Sequence, residues 1–154
     1  MDPNLNWKSF APEIQKLAGL NYNYDVTQYL NSADRSGWSV DQYEGLLGVE
    51  RPGPPLASGT FAAACDALTL YTFPDPRLMR AAFDPDLPLA GRNMLLFAHF
   101  LGMTFTFGVR ITEVIDTVET DACGTDIKVW GYAYRTLAGH FEVGEIRFEL
   151  KKNM

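Results

Sequence analysis

Residues 134–145 read Y-R-T-L-A-G-H-F-E-V-G-E and gather one of the chain's two histidines, two carboxylates and two glycines into one short stretch. On a strand, His140 and Glu142 point to the same face, and a bulge at Gly144 brings Glu145 round to join them. An imidazole beside a carboxylate is ordinary equipment for a general base near neutral pH. In that chemistry His140 takes the proton, Glu142 orients the ring, and Glu145 or Arg135 contacts the substrate of a hydrolysis or isomerisation that needs no cofactor. One histidine and two acceptors are too few to specify a metal, so neither a metal nor a cofactor is expected. No second histidine, serine or cysteine motif completes a known catalytic constellation. A plainer account serves the same residues: Gly139 and Gly144 supply turn and bulge, His140 satisfies a backbone group, and the glutamates sit on a solvated strand face. The balance favours a non-catalytic module, with the enzyme as the alternative.

A second set of residues is aromatic. Phe97, Phe105, Phe107, Trp130, Tyr132 and Tyr134 can wall a pocket between a helix and a sheet, with Arg135 adding a polar contact. The same row also reads as packed core. The pocket would take an apolar small molecule. Trp7, Trp38 and the tyrosines of N-Y-N-Y-D at residues 21–25 would close its mouth or cover the sheet. His99, alone in an apolar run, is expected to be a hydrogen-bonded core histidine, and Cys65 a core thiol.

The elements that must position these groups belong to one domain, since 154 residues bury roughly 70% of the unfolded chain's surface. With 47% hydrophobic and 21% charged residues, the chain is of ordinary globular composition. Thirteen basic against nineteen acidic residues give a net charge of -6 without any Lys/Arg block, which argues against nucleic acid or an anionic membrane as partner. Cys65 and Cys123 lack metal-ligand spacing and suggest no disulfide framework, so a reduced, cytoplasmic protein is expected. The polar N-terminus lacks a leader's apolar core, and the longest apolar run, residues 94–107, is too short to span a bilayer as a helix.

R-P-G-P-P at residues 51–55 divides an irregular N-terminal part, 1–55, from a regular part, 56–154. Before the joint, the pattern predicts a short helix at 12–17, a short strand at 20–24 and a helical turn at 40–46. After it, Ser58 or Thr60 caps a helix whose Phe61, Ala64, Cys65, Leu68 and Tyr71 share one face. A shorter helical piece follows in P-D-P-R-L-M-R-A-A-F. Four strands then form an antiparallel meander: 93–99, 105–116, 127–134 and 141–151. On the last of these, Ile146, Phe148 and Leu150 face the core while Glu145, Arg147 and Glu149 face water.

Residues 134–148 fill every position of Y-x-T-L-x-G-H-x-E-x-G-E-x-x-F, and in this the chain resembles the family catalogued as uncharacterised protein family 0548. The resemblance extends more loosely through R-I-T-E-V-I-D-T at 110–117 and the helix from Gly59. It implies an α+β fold of the helix-grip (START-like) kind, an antiparallel sheet wrapped on a helix, and such folds often hold apolar ligands. Similar family members continue past F-E-L-K-K into a further strand and helix. A sheet ending at Met154 implies an open edge, an uncovered apolar face and association with a second copy or a partner chain. A role as subunit or assembly factor of a larger complex fits the same features.

Overall fold

The computed structural model describes residues 5–31 and 37–154. Its frame is a five-stranded antiparallel sheet in simple sequence order: β1 (Met79–Ala82), β2 (Asn93–Phe100), β3 (Met103–Thr120), β4 (Asp126–Thr136) and β5 (Glu145–Asn153). Among the described residues three short α-helices accompany it, α1 (Ala11–Leu17), α2 (Val26–Asn31) and α3 (Thr60–Thr69), with a single 3-10 turn at Trp7–Phe10 ahead of α1. The domain is α+β and a meander, as the alternation of apolar residues predicts.

Two-residue periodicity gives the sheet two apolar faces. Met94 and Leu96 of β2, Phe107, Val109 and Ile111 of β3, Tyr132 and Tyr134 of β4 and Leu150 of β5 form one core, which Leu68 of α3 and Tyr71 complete. Leu95, Phe97, Ala82 and Leu137 form the other core, with Ile14 and Leu17 of α1. Each fully buried Leu, Ile or Val contributes about 1.5–3 kcal/mol relative to exposure. Two glycines permit close packing on this frame. A Cβ at Gly108 would lie 2.5 Å from Leu17 Cδ2, and one at Gly131 would lie 1.9 Å from the Phe148 carbonyl oxygen.

Helix α3 begins after Gly59 without a side-chain cap of its own. Instead of Ser58 or Thr60, the Glu50 carboxylate supplies the cap, accepting the Phe61 N–H at 2.7 Å. Lys152, at the far end of β5, stands 3.6 Å from the same carboxylate, with side chains only 6% and 10% exposed for Lys152 and Glu50. Its Nζ also donates to the Arg51 carbonyl at 2.7 Å. These contacts tie the irregular segment before α3 to the last strand.

Several expectations are corrected. Residues 79–82 form edge strand β1 and not a helix, because pairing with residues 95–98 of β2 satisfies their backbone. Residues 40–46 have no helical turn, and the strand expected at 20–24 is a single bridge from Tyr22 to Leu137. The last strand starts at Glu145, so residues 141–144 are loop.

Candidate functional site

His140 is positioned by a turn. The Leu137 N–H donates to the Gly108 carbonyl at 3.1 Å, and the His140 N–H to the Leu137 carbonyl at 3.0 Å. Gly139, third residue of that turn, has φ 92, the left-handed value a type II turn demands and glycine adopts without strain. Asn23 then staples the loop: its Nδ2 donates to the Glu142 carbonyl at 2.7 Å, and its Oδ1 accepts from the Thr136 hydroxyl at 2.5 Å.

Within this loop the imidazole packs on aromatic rings, 4.2 Å from the Phe107 centroid and stacked on Phe141 at 5.1 Å. Its Nδ1 accepts the Glu142 backbone N–H at 2.9 Å, so the neutral ring carries its proton on Nε2. Burial lowers its pKa below the usual value, against the opposing pull of the Glu142 charge. The Glu142 side chain is exposed. Glu145 pairs with Arg135 at 2.8 Å, on the face opposite Tyr134, since neighbouring strand residues point oppositely. The expected convergence of His140, Glu142 and Glu145 is therefore not what the loop builds: Glu142 meets the imidazole through its backbone, and Glu145 belongs to the other face.

The aromatic set also divides. Phe107, Tyr132 and Tyr134 lie in the core under α3, with Trp130 packed against it. Phe97 lies on the opposite face, its ring 4.9 Å from Phe10. The register sets Leu96, and not Phe97, opposite Phe107. Arg135 shares that opposite side, 5.8 Å from the Tyr22 ring. Tyr132 donates to the Leu68 carbonyl at 3.0 Å, and the Tyr71 and Tyr134 hydroxyls stand 3.5 Å apart. Burial pushes the pKa of Tyr134 well above its usual value, with Tyr71 the next contributor. These rings are packed and hydrogen-bonded core.

His99 is hydrogen-bonded as expected, but it is half-buried and belongs to neither core. Arg80 Nη2 lies 3.2 Å from its Nε2, and an arginine can only donate, which leaves Nδ1 to donate to the Thr104 hydroxyl at 2.9 Å. Cys65 packs against the core under α3, and burial raises its thiol pKa to about 11.

Beyond Phe107 the same sheet face continues with no helix over it among the described residues. Phe100 and Met103 are paired, and with Phe105 and Phe141 they form an apolar row that is largely exposed, Phe100 at 65% and Phe141 at 66%. The Phe141 ring lies 5.4 Å from Phe107 and 6.1 Å from Phe105. The cause is length. The 10 residues of α3 span about 15 Å, whereas the 18 residues of β3 span roughly 60 Å. Of these exposed residues only Phe105 was legible in sequence as a site candidate. The available signal was the alternation of Met103, Phe105 and Phe107 beyond the helix's reach.

The fold and this surface define an α+β domain with a partly covered antiparallel sheet. The chain belongs to the family described as a domain of unknown function, DUF1990, whose model matches residues 23–154. No curated protein and no solved structure matches it. Among the described residues no group of His, Cys, Asp and Glu is placed to hold a metal ion, and no helix is long and apolar enough to cross a membrane.

Proposed function

We propose that this domain is a non-catalytic binding module that docks a partner chain, a second copy or another protein, on the exposed end of its sheet. The carrying observation is the continuous apolar surface of Phe100, Met103, Phe105 and Phe141, which extends the buried face past the end of α3. Such a patch beside a polar loop is the usual mark of an interface. Packing and hydrogen bonding of Tyr132 and Tyr134 under α3 support a partner on the exposed surface over an apolar small molecule held among these rings. A sheet with one helix on its face is compatible with a helix-grip relationship, in which α3 would be the gripped helix. The acid–base alternative draws less support, since Nδ1 of His140 is occupied by its own loop and Glu145 by Arg135.

Native mass spectrometry of the protein purified from its own host tests the reading. The expected spectrum shows a homo-oligomer or a defined second chain, and the double variant Phe105→Ser, Phe141→Ser releases it while far-UV circular dichroism stays unchanged. Both side chains are exposed, so the fold should tolerate the change. A bare monomer in the unaltered protein, or a complex indifferent to the double variant, refutes the proposal.

A further inference from the structure

Strand β5 is an edge of the sheet, and its pairing with β4 fixes which of its backbone groups are free. At the two ends of that pairing the Met154 N–H donates to the Asp126 carbonyl at 2.8 Å and the Thr136 N–H to the Gly144 carbonyl at 3.1 Å. Alternate residues of an antiparallel strand bond to the same neighbour. The register between these ends is unbroken, so the even-numbered residues of β5 bond to β4 and the odd-numbered ones turn outward. Asn153 agrees, since its carbonyl accepts the Gly53 N–H from outside the sheet at 3.3 Å. Among the described residues, the outward N–H and C=O groups of Glu145, Arg147, Glu149 and Lys151 have no backbone partner. An edge left in this way is a template for another strand.

The side chains decide what kind of strand fits. Glu145, Arg147, Glu149 and Lys151 alternate in sign on one face, while Ile146, Phe148 and Leu150 share the other. Reversed about Phe148, the strand meets each of its charges with the opposite sign. We propose that β5 pairs antiparallel with β5 of a second copy about a twofold axis at Phe148, joining the two sheets into one. Arg147 then stands opposite Glu149 of the second copy, Glu145 opposite its Lys151, Ile146 opposite its Leu150, and Phe148 opposite its own counterpart. Outward groups must meet outward groups, so the register moves only in steps of two residues. One step sets Arg147 against Arg147 and Glu145 against Glu149, and the step the other way sets Glu149 against Glu149 and Arg147 against Lys151. Like charges directly opposite are destabilising, so a single register is selected. Within the chain Arg147 meets Glu113 and Glu149, and Lys151 meets Glu149. Their side chains are nonetheless 44% and 57% exposed, open to a further carboxylate. The paired stretch stops short of Asn153, where Gly53 already occupies the edge. Isologous contact of identical patches is how a twofold dimer closes. The edge shares no residue with the apolar row of Phe100, Met103, Phe105 and Phe141, so self-pairing and docking on that row are independent.

Sedimentation equilibrium of the full chain across micromolar concentrations, near neutral pH, should show a monomer–dimer equilibrium. Arg147→Glu creates a like-charge contact on each side of the axis and should weaken the dimer at least about tenfold. Adding Glu149→Arg restores opposite signs, and the double variant should return to within about threefold of the unaltered protein. Lys151→Glu sets a carboxylate opposite Glu145 on each side and should weaken the dimer likewise. If the double variant fails to fold, the unaltered protein and the two single reversals decide the matter. The dimer should survive Phe105→Ser, Phe141→Ser, which alters only the apolar row, so loss of one association is not mistaken for loss of the other. A concentration-independent monomer, a dimer indifferent to either charge reversal, a dimer dispersed by Phe105→Ser, Phe141→Ser, or a folded double variant that stays as weak as Arg147→Glu overturns the proposal.

Discussion

Replacing Glu50 by alanine should destabilise this domain far more than loss of a surface ion pair would. Two effects add. The carboxylate that accepts the Phe61 N–H at 2.7 Å disappears, and loss of an N-cap costs about 1 kcal/mol. Lys152 is then left with its ammonium buried and its counter-ion gone, which costs about 3 kcal/mol at the lower end of the usual range. The lower end applies because the bond from Nζ to the Arg51 carbonyl at 2.7 Å survives. The sum is about 4 kcal/mol, or roughly 10 °C in Tm for a chain of this size. Urea unfolding followed by circular dichroism and tryptophan fluorescence measures it. The double variant Glu50→Gln, Lys152→Met removes both charges yet keeps an amide oxygen for the cap, and should return to within about 1 kcal/mol of the unaltered protein. A loss below about 1 kcal/mol for Glu50→Ala, the magnitude of an exposed pair, would refute the reasoning. So would a double variant no more stable than Glu50→Ala.

Two further perturbations probe the sheet and the loop. Gly131→Ala places a Cβ 1.9 Å from a carbonyl oxygen of β5 and should cost more than about 3 kcal/mol or prevent folding, because backbone must move. Gly108→Ala meets the tip of Leu17 at 2.5 Å, a side chain that can rotate, and should cost about 1–2 kcal/mol; thermal unfolding that ranks the pair the other way contradicts the packing described. For His140, burial lowers the folded pKa below the ordinary histidine value of about 6.5, so the unfolded chain takes up its proton first as pH falls. Stability should therefore be full above about pH 6.5 and decline below it, through the lowered folded value. His140→Gln should remove that component, and an NMR titration midpoint for His140 at or above 6.5 would contradict the burial assigned to its ring.

Much of the architecture was legible because local periodicity reports facing. The alternation in Met94 and Leu96, in Tyr132 and Tyr134, and in Phe148 and Leu150 is satisfied by one apolar sheet face, and the three- and four-residue spacing in α3 by one helix face. Turn glycines likewise marked the bend before His140. Residues 79–82, however, carry no strand signal strong enough to outweigh the prolines and alanines around them, and only pairing with β2 makes them a strand. Residues 141–144 look strand-like in isolation, yet Asn23, brought there by the packing of the N-terminal segment, holds them as a loop.

The candidate site was less legible, for the same reason. Whether Phe97 joins Phe107 depends on cross-strand register, and the pairing of Leu96 with Phe107 puts them on opposite faces. Whether Glu145 joins His140 depends on which face β4 offers it, and Arg135 claims it on the far side. Glu50 and Lys152 lie about a hundred residues apart, so no spacing rule could connect them. Sequence alone determined which side chains must be hidden and with what period. Tertiary structure decided which hidden and exposed groups meet, because register, helix length and long-range capping are set by the packed whole.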